Sequence, residues 1–151
     1  MLMRTDYSKL EKTIQYTFSD KNLIDQALTH KTYAFEAETP IEFNERLEFL
    51  GDSILNFIIA QYLYSKNVFF SEGELTRRRA HLVNNKKLSL IAKQLKIGSY
   101  LKLGKGELQQ QGQMNNKNIA NALEALIGAI YIDSDINTIE LVIFTLFDLE
   151  K

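Results

Sequence analysis

The chain has 151 residues, 45% of them hydrophobic, which is enough for one domain with a buried core. It contains no cysteine, and this excludes disulfides, thiolate metal sites and cysteine nucleophiles. No apolar run approaches the ~20 residues that a membrane-spanning helix requires. These features suit a reducing compartment, and we expect a cytoplasmic location.

The charges nearly cancel in sum but are unevenly distributed along the chain. The formal net charge is −1, yet residues 77–105 contain nine lysines and arginines and no acid. The remaining residues contain nine basic and nineteen acidic side chains. Such asymmetry favours a polyanionic partner for the basic segment and a metal ion or partner subunit for the acidic part. A solvated basic face without a partner would give the same composition.

Hydrophobic spacing predicts an all-α fold. Strand-like alternation and internal repeats are absent, and a single proline and seven glycines are typical of helices joined by few tight turns. Seven helices are predicted, over about residues 6–17, 20–30, 43–66, 74–84, 86–95, 118–133 and 135–149. Residues 33–41 and 98–116 are predicted as loops, and the second is long enough to be functional or mobile.

Three positions mark predicted helix ends. Ser19 or Asp20 is the expected N-cap of the second helix. Ser71 stands three residues before Glu74, which is the spacing of a capping box. His30 lies near the end of the second helix, where it could be catalytic. A lone histidine at a helix end more often has a structural hydrogen-bonding role, and we favour that interpretation.

The central helix carries three carboxylates on one face. Glu45, Glu48 and Asp52 are separated by three, four and seven residues, so they share one stripe of a mostly apolar helix. Neighbouring negative charges repel each other and disfavour burial. The second strongly apolar helix carries Asn121 and Glu124 three residues apart. If the two helices pack together, side chains from both stripes converge.

A convergent set of three carboxylates and an amide would be an oxygen-rich site, suited to Mg²⁺ or Mn²⁺ and poor for zinc. Such an ion can activate water and stabilise charge during phosphodiester hydrolysis. A di-iron centre usually needs a Glu-x-x-His pair, but His30 and His81 follow Ala27 and Arg78 at that spacing, which disfavours iron. Exposed helix carboxylates with weak salt bridges are the simpler alternative.

The run Asn-Glu-Arg-Leu-Glu-Phe-Leu-Gly-Asp-Ser-Ile-Leu at residues 44–55 resembles the signature of the ribonuclease III domain. Further blocks resemble the family in the same order, at residues 20–33, 72–83, 104–108 and 124–131. The resemblance covers nearly the whole chain and is strongest to bacterial-type enzymes.

The resemblance implies that residues 1–151 are one all-α endonuclease domain, with about seven helices and a long buried signature helix. It implies a homodimer that cleaves double-stranded RNA and leaves 5′-phosphate and 3′-hydroxyl ends. The implied cofactor is Mg²⁺, for which Mn²⁺ can substitute. The implied metal-site residues are Glu48, Asp52, Asn121 and Glu124, and Asp52 and Glu124 are also the implied catalytic residues.

The resemblance also assigns residues outside the metal site. Glu45 and Glu72 match acidic positions that line the family's dimer and RNA-contacting valley. Phe49 resembles the family's dimer-interface aromatic, with ordinary core packing as the alternative. Because A-form RNA is recognised by its shape, phosphates and 2′-hydroxyls, the basic segment can contribute RNA contacts. The candidates for phosphate contacts are Arg77, Arg78 and Arg79.

Two features depart from the family's pattern. The family has an aspartate at position 121, whereas Asn121 carries one negative charge fewer and an amide NH₂ beside its carbonyl oxygen. Metal affinity or water activation should therefore weaken. Bacterial-type members also usually append a double-stranded RNA-binding domain, and none is expected in this chain, so RNA binding should be weaker and more sensitive to salt.

The change at position 121 leaves a second hypothesis open. A catalytically impaired or inactive relative, with an RNA-binding or structural role, is the alternative to an active endonuclease. A metal-binding helical bundle without any role on nucleic acid is a third and weaker hypothesis.

Overall fold

The computed structural model describes residues 5–150, which fold into nine α-helices and two 3-10 turns. The helices are α1 (Ser8–Ile14), α2 (Lys21–Ala27), α3 (Lys31–Glu36), α4 (Glu45–Lys66), α5 (Glu72–Val83), α6 (Asn85–Gln94), α7 (Lys105–Gln109), α8 (Asn116–Asp133) and α9 (Ile136–Leu146). The 3-10 turns are Ile97–Ser99 and Gly112–Met114. No strand forms in residues 5–150, so the all-α prediction is confirmed. None of the helices within this range is long and apolar enough to cross a membrane.

Two short helices, α3 and α7, lie in segments where the sequence predicted mainly loop. They have six and five residues, which is too short for hydrophobic periodicity to reveal them. Helix α3 is capped by His30, whose side chain accepts a hydrogen bond from the Thr32 N–H, whereas α7 begins after Gly104 without a side-chain cap. The structural role predicted for His30 is therefore present. The helix that it caps was not predicted.

Several predicted helix boundaries also shift. The first helix ends at Ile14 rather than at residue 17, because Gln15 adopts the left-handed conformation, with φ of 57°. Asp20 is the N-cap of α2, as predicted, and accepts a hydrogen bond from the Asn22 N–H. The predicted capping box at the start of α5 forms between Ser71 and Glu74.

The core forms around α8, which packs against α2, α4, α6 and α9. Contacts on so many sides explain why α8 is apolar almost all round, with every residue from Ala125 to Ile130 buried. Helix α4 buries only one stripe, which includes Leu55, Ile58 and Ile59. Burying one such side chain contributes about 1.5–3 kcal/mol, so the α4–α8 pairing is a main source of stability.

Glycines let α4 and α8 approach more closely than side chains normally permit. A Cβ atom on Gly51 of α4 would lie 1.7 Å from the Glu124 carbonyl oxygen of α8. A Cβ atom on Gly128 would lie 2.3 Å from the Leu47 carbonyl oxygen. Because Gly51 immediately precedes Asp52, this contact also brings the polar stripes of the two helices together.

Helix α5 differs from the other long helices because it buries none of its residues. It contacts α4 and, to a lesser extent, α6. The loop before it leaves Val68 and Phe69 more than four-fifths exposed. Such exposure of large apolar side chains is typical of a surface that contacts another molecule.

Candidate functional site

The two polar stripes of α4 and α8 open into one cleft of about 650 Å³. Residues from α3, α7 and the segment before α4 complete its walls. The lining residues are His30, Lys31, Asn44, Glu45, Glu48, Phe49, Asp52, Glu107, Lys117, Asn118, Asn121 and Glu124. The structure therefore brings together all four residues that were predicted to hold a metal ion.

The carboxylates of this cleft are close enough to alter one another's ionisation. Burial, together with the neighbouring charges of Asp52 and Glu48, raises the pKa of Glu124 to about 7. Burial also raises the pKa of Glu48, with the charge of Glu45 acting in the same direction and that of Lys117 opposing it. The cleft thus holds more negative charge than its surroundings compensate, and a cation bound there would relieve the repulsion.

The donor chemistry fits a hard divalent cation. Carboxylate oxygens from Glu48, Asp52 and Glu124 and the amide oxygen of Asn121 are ligands that Mg²⁺ or Mn²⁺ accepts. Within residues 5–150, no three acidic or histidine side chains already stand in a ready metal-binding arrangement. Asp52 instead accepts a hydrogen bond from Asn56 Nδ2 at 3.0 Å, one turn along α4. An ion that used this oxygen of Asp52 would replace the hydrogen bond from Asn56.

The two predicted valley carboxylates lie in different places. Glu45 lines the cleft and forms a salt bridge with Lys31, with 3.0 Å between Oε1 and Nζ. Glu72 lies outside the cleft, in a separate groove between α4 and α5 that Phe57 and Tyr64 also line. Its Oε1 accepts a hydrogen bond from the Thr76 hydroxyl at 2.8 Å. Within one chain, Glu72 therefore lies apart from the four predicted metal ligands.

The predicted phosphate-contacting arginines lie on α5, away from the cleft. Arg77 and Arg78 are exposed, and Arg79 lines the same groove as Glu72. The Arg78 guanidinium lies 4.0 Å from the centre of the Phe70 ring, which fixes its direction through a cation–π contact. These side chains are available to an anionic partner.

Phe49 is exposed, so the core-packing alternative is wrong. Although it lies on the signature helix between Glu48 and Gly51, 77% of its surface is accessible. Phe57 and Tyr64 follow it on the same helix and are 56% and 76% exposed. At spacings of eight and seven residues, the three aromatic side chains form a stripe along one side of α4.

Sequence reasoning did not predict several residues of the cleft as site residues, among them Lys117, Glu107 and Lys31. Lys117 stands in the first turn of α8, four residues before Asn121, and that spacing could have revealed it. Glu107 was hidden because α7 was predicted as loop. Its Oε1 accepts a hydrogen bond from Asn118 Nδ2 at 2.8 Å, which ties α7 to the start of α8. Lys31 enters the cleft through α3, which carried no signal in the sequence.

The chain is similar to known ribonucleases over most of its length. A family model described as Ribonuclease-III-like matches residues 20–148. Ribonuclease 3 of Buchnera aphidicola is 46% identical over 145 residues, and that of Aliarcobacter butzleri is 42% identical over 144. Each alignment includes 95% of this chain and 62% of the relative. The chain thus spans about 62% of the length of these curated relatives.

Solved structures show the same relationship. The nuclease domain of ribonuclease III from Campylobacter jejuni, described as flexible in a region involved in dimer formation, superposes with a TM-score of 0.89 at 36% identity. That alignment covers 95% of this chain and 96% of the other. Dicer from Pichia stipitis superposes with a TM-score of 0.65 at 28% identity, over 87% of this chain and 55% of the other. The chain belongs to the ribonuclease-III-like family.

Proposed function

We propose that the protein is a metal-dependent endoribonuclease that cleaves double-stranded RNA as a homodimer and leaves 5′-phosphate and 3′-hydroxyl ends. The observation that carries this proposal is the convergence of Glu48, Asp52, Asn121 and Glu124 in one cleft. We take residues 1–151 as one catalytic domain. A cytoplasmic location agrees with the absence of cysteine.

The four converging residues would hold Mg²⁺, or Mn²⁺ in its place. When bound, the ion would supply a positive charge that activates water and stabilises the phosphodiester transition state. Asp52 and Glu124 are the proposed catalytic residues. Because the pKa of Glu124 is about 7 in the cation-free cleft, its carboxylate can accept or release a proton near neutral pH. Glu48 adds a negative charge, which favours binding of a cation in the cleft over occupation of the cleft by water alone.

RNA would be held mainly through its phosphates. The basic segment 77–105 carries the exposed arginines of α5, and phosphate contacts of this kind dominate affinity for nucleic acid. Binding should weaken steeply with salt, because each contact releases condensed counterions. Glu45 lines the cleft, and Glu72, outside it, would face the bound duplex only across the proposed dimer.

The aromatic stripe of α4 supports the dimer. A two-fold interface uses the same patch on both subunits, and large exposed apolar side chains are typical of its centre. We expect Phe49→Ser to convert the dimer into a monomer and to abolish cleavage in parallel. Most of the Phe49 side chain is exposed in a single chain, so a partner subunit can bury it. Sedimentation velocity at micromolar concentration would measure the change.

Phe35→Ser is the matched control for this prediction. Phe35 is similarly exposed, at 73%, but it lies on α3. The centres of the Phe35 and Phe43 rings are 5.6 Å apart. The control should remain dimeric. A wild-type protein that sediments as a monomer would contradict the homodimer, and so would a Phe49→Ser variant that remains dimeric.

Asn121 is the specific observation that favours a second candidate function, an RNA-binding relative with impaired chemistry. Asn121→Asp restores one negative charge to a cleft that already raises the pKa of Glu124. We expect this substitution to tighten binding of Mn²⁺ and to raise the rate of cleavage of a long RNA duplex by about tenfold, since one ligand or its orienting partner is typically worth that much. Calorimetric Mn²⁺ titration and gel assays would measure the two effects.

Asn116→Asp provides the control, because it makes the same change on the same helix but outside the cleft. It should leave metal affinity and cleavage unchanged. If the Asn121→Asp variant cuts and the wild-type protein only binds duplex, chemistry is blocked at this position and the second function holds. If both proteins bind duplex and neither cuts, the endonuclease proposal fails.

A further inference from the structure

His30 lines the cleft, and its role as a helix cap involves only one of its two ring nitrogens. Its ring Nδ1 faces Thr32, accepting from the backbone N–H at 3.3 Å and lying 2.8 Å from the Thr32 hydroxyl. The other ring nitrogen, Nε2, has no hydrogen-bond partner among residues 5–150. The side chain is half-buried and lines the cleft beside the proposed metal site.

The hydrogen bonds around Nδ1 determine which nitrogen carries the proton. The Thr32 hydroxyl accepts a hydrogen bond from the Gly104 N–H at 2.9 Å, so its own proton is free to point at Nδ1. Nδ1 is thus an acceptor from both groups of Thr32. A neutral imidazole that accepts at Nδ1 carries its proton on Nε2. The ring therefore presents one N–H donor on its free side.

The backbone that carries the His30 ring is held in place by hydrogen bonds to two other segments. The His30 backbone N–H donates to the Lys102 carbonyl at 2.9 Å, and the Lys102 N–H donates to the Leu28 carbonyl at 2.8 Å. The neighbouring Thr29 carbonyl accepts from the Asn44 N–H at 3.0 Å. A donor whose position is fixed before the ligand arrives loses little entropy on binding.

The charged groups near the ring agree with a neutral donor. Burial lowers the pKa of His30 below its ordinary value; Glu107 of α7 and Glu45 of α4 oppose this effect, and Lys31 of α3 reinforces it. Both carboxylates already have partners, since Glu45 pairs with Lys31 and Glu107 accepts from Asn118. Neither carboxylate therefore needs the His30 Nε2–H as a hydrogen-bond donor.

We infer that His30 is a substrate-binding residue, whose Nε2–H donates a hydrogen bond to an oxygen of the RNA backbone next to the cleavage point. This inference rests on the proposed action on double-stranded RNA. His30 lines the same cleft as the four proposed metal ligands, which places this contact beside the metal site. The acceptor is a phosphate oxygen or a ribose 2′-hydroxyl.

His30→Asn separates this contact from the capping role. Asparagine is among the best N-cap residues, so its side chain can still accept from Thr32, but it cannot place a donor where Nε2 stands. We expect the variant to keep the wild-type Tm and to bind a short RNA duplex, measured by fluorescence anisotropy in EDTA, about threefold to tenfold more weakly, as for one hydrogen bond. In Mg²⁺, KM should rise by the same factor while kcat stays constant.

Two further variants exclude a purely structural explanation. His30→Ala removes both the cap and the donor, so it should lower Tm and weaken binding. Asp20→Ala removes the cap of α2, which lies outside the cleft, so it should lower Tm without changing the affinity for duplex. A His30→Asn protein that binds duplex as tightly as wild type would overturn the inference.

Measuring the binding of duplex DNA beside duplex RNA would identify the oxygen that accepts the hydrogen bond from His30. If His30→Asn weakens binding of RNA and DNA duplexes equally, the acceptor is a phosphate. If only RNA binding weakens, the acceptor is the 2′-hydroxyl, which DNA lacks. A wild-type protein with no affinity for duplex RNA would refute the proposed function itself. A His30→Asn variant with unchanged affinity would refute only the role of His30, so the two failures can be distinguished.

Discussion

Glu124→Gln should abolish most RNA cleavage while making the cation-free protein more stable above neutral pH. The amide keeps the size of the side chain but removes a negative charge that we propose binds a divalent ion. We expect the cleavage rate to fall by roughly a hundredfold or more, as for other single groups that stabilise transition-state charge. Duplex binding in EDTA should remain, because RNA is anionic and the removed charge repels it.

The stability effect follows from the pKa of Glu124. Its folded-state value is about 7, above the unfolded value of 4.5, so ionisation of this group opposes folding. Its protonation favours the folded state, and that contribution is complete below pH 4.5 and lost as the pH rises through 7. The Tm of Glu124→Gln in EDTA should therefore match wild type near pH 4 and exceed it at pH 8.

Added Mg²⁺ or Mn²⁺ should reverse this order. An ion that binds only the folded state raises the Tm of the wild-type protein, and it should raise that of Glu124→Gln much less. Glu140→Gln on α9 is the control, since Glu140 lies outside the cleft, and it should preserve cleavage and the response to metal. Equal Tm values at pH 8 in EDTA would refute the electrostatic account of the cleft. Full cleavage by Glu124→Gln would refute the proposed catalytic role.

Gly51→Ala should destabilise the fold by about 3 kcal/mol, at the upper end of what one additional buried methyl group costs in a close-packed core. The new Cβ atom would lie 1.7 Å from the Glu124 carbonyl oxygen, a distance that only separation of α4 from α8 can relieve. Separation would also move Asp52 away from Glu124. Urea unfolding would measure the stability, and cleavage at a temperature where the variant is still folded would measure the effect on the site.

Gly73→Ala is the matched control for the glycine substitution. Gly73 also lies in a helix, but a Cβ atom there would meet nothing within 4 Å. Because alanine favours helices over glycine, this variant should be as stable as wild type or more stable by up to ~1 kcal/mol. A Gly51→Ala protein with wild-type stability would show that α4 and α8 do not need close contact.

The long apolar helices could be predicted because their pattern is local. Helices α4 and α8 carry enough apolar residues to make their burial evident without any knowledge of their partners. Their polar residues stand out against that background, so Glu48, Asp52, Asn121 and Glu124 could be selected as one candidate set. The caps at Asp20 and Ser71 were equally visible, because capping depends on residues within one turn.

The short helices and the walls of the cleft could not be predicted in the same way. Helix α3 depends on His30, which is held by Lys102 from a distant part of the chain. Helix α7 brings Glu107 to Asn118, eleven residues further along. Neither contact produces a periodic pattern in the sequence, because each joins segments whose separation in space is set by the packing of other elements.

By itself, the sequence determined the helical class, the family and which four oxygen-bearing side chains form the candidate metal site, since these depend on residue type and local spacing. Only the tertiary structure decided that the α4–α8 contact at Gly51 and Gly128 brings the two polar stripes into one cleft. It also decided that Phe49 is exposed rather than buried, and that His30 lines the cleft as well as capping a helix. The reason is physical: the face that a side chain occupies follows from periodicity, but what that face meets follows from how the helices pack.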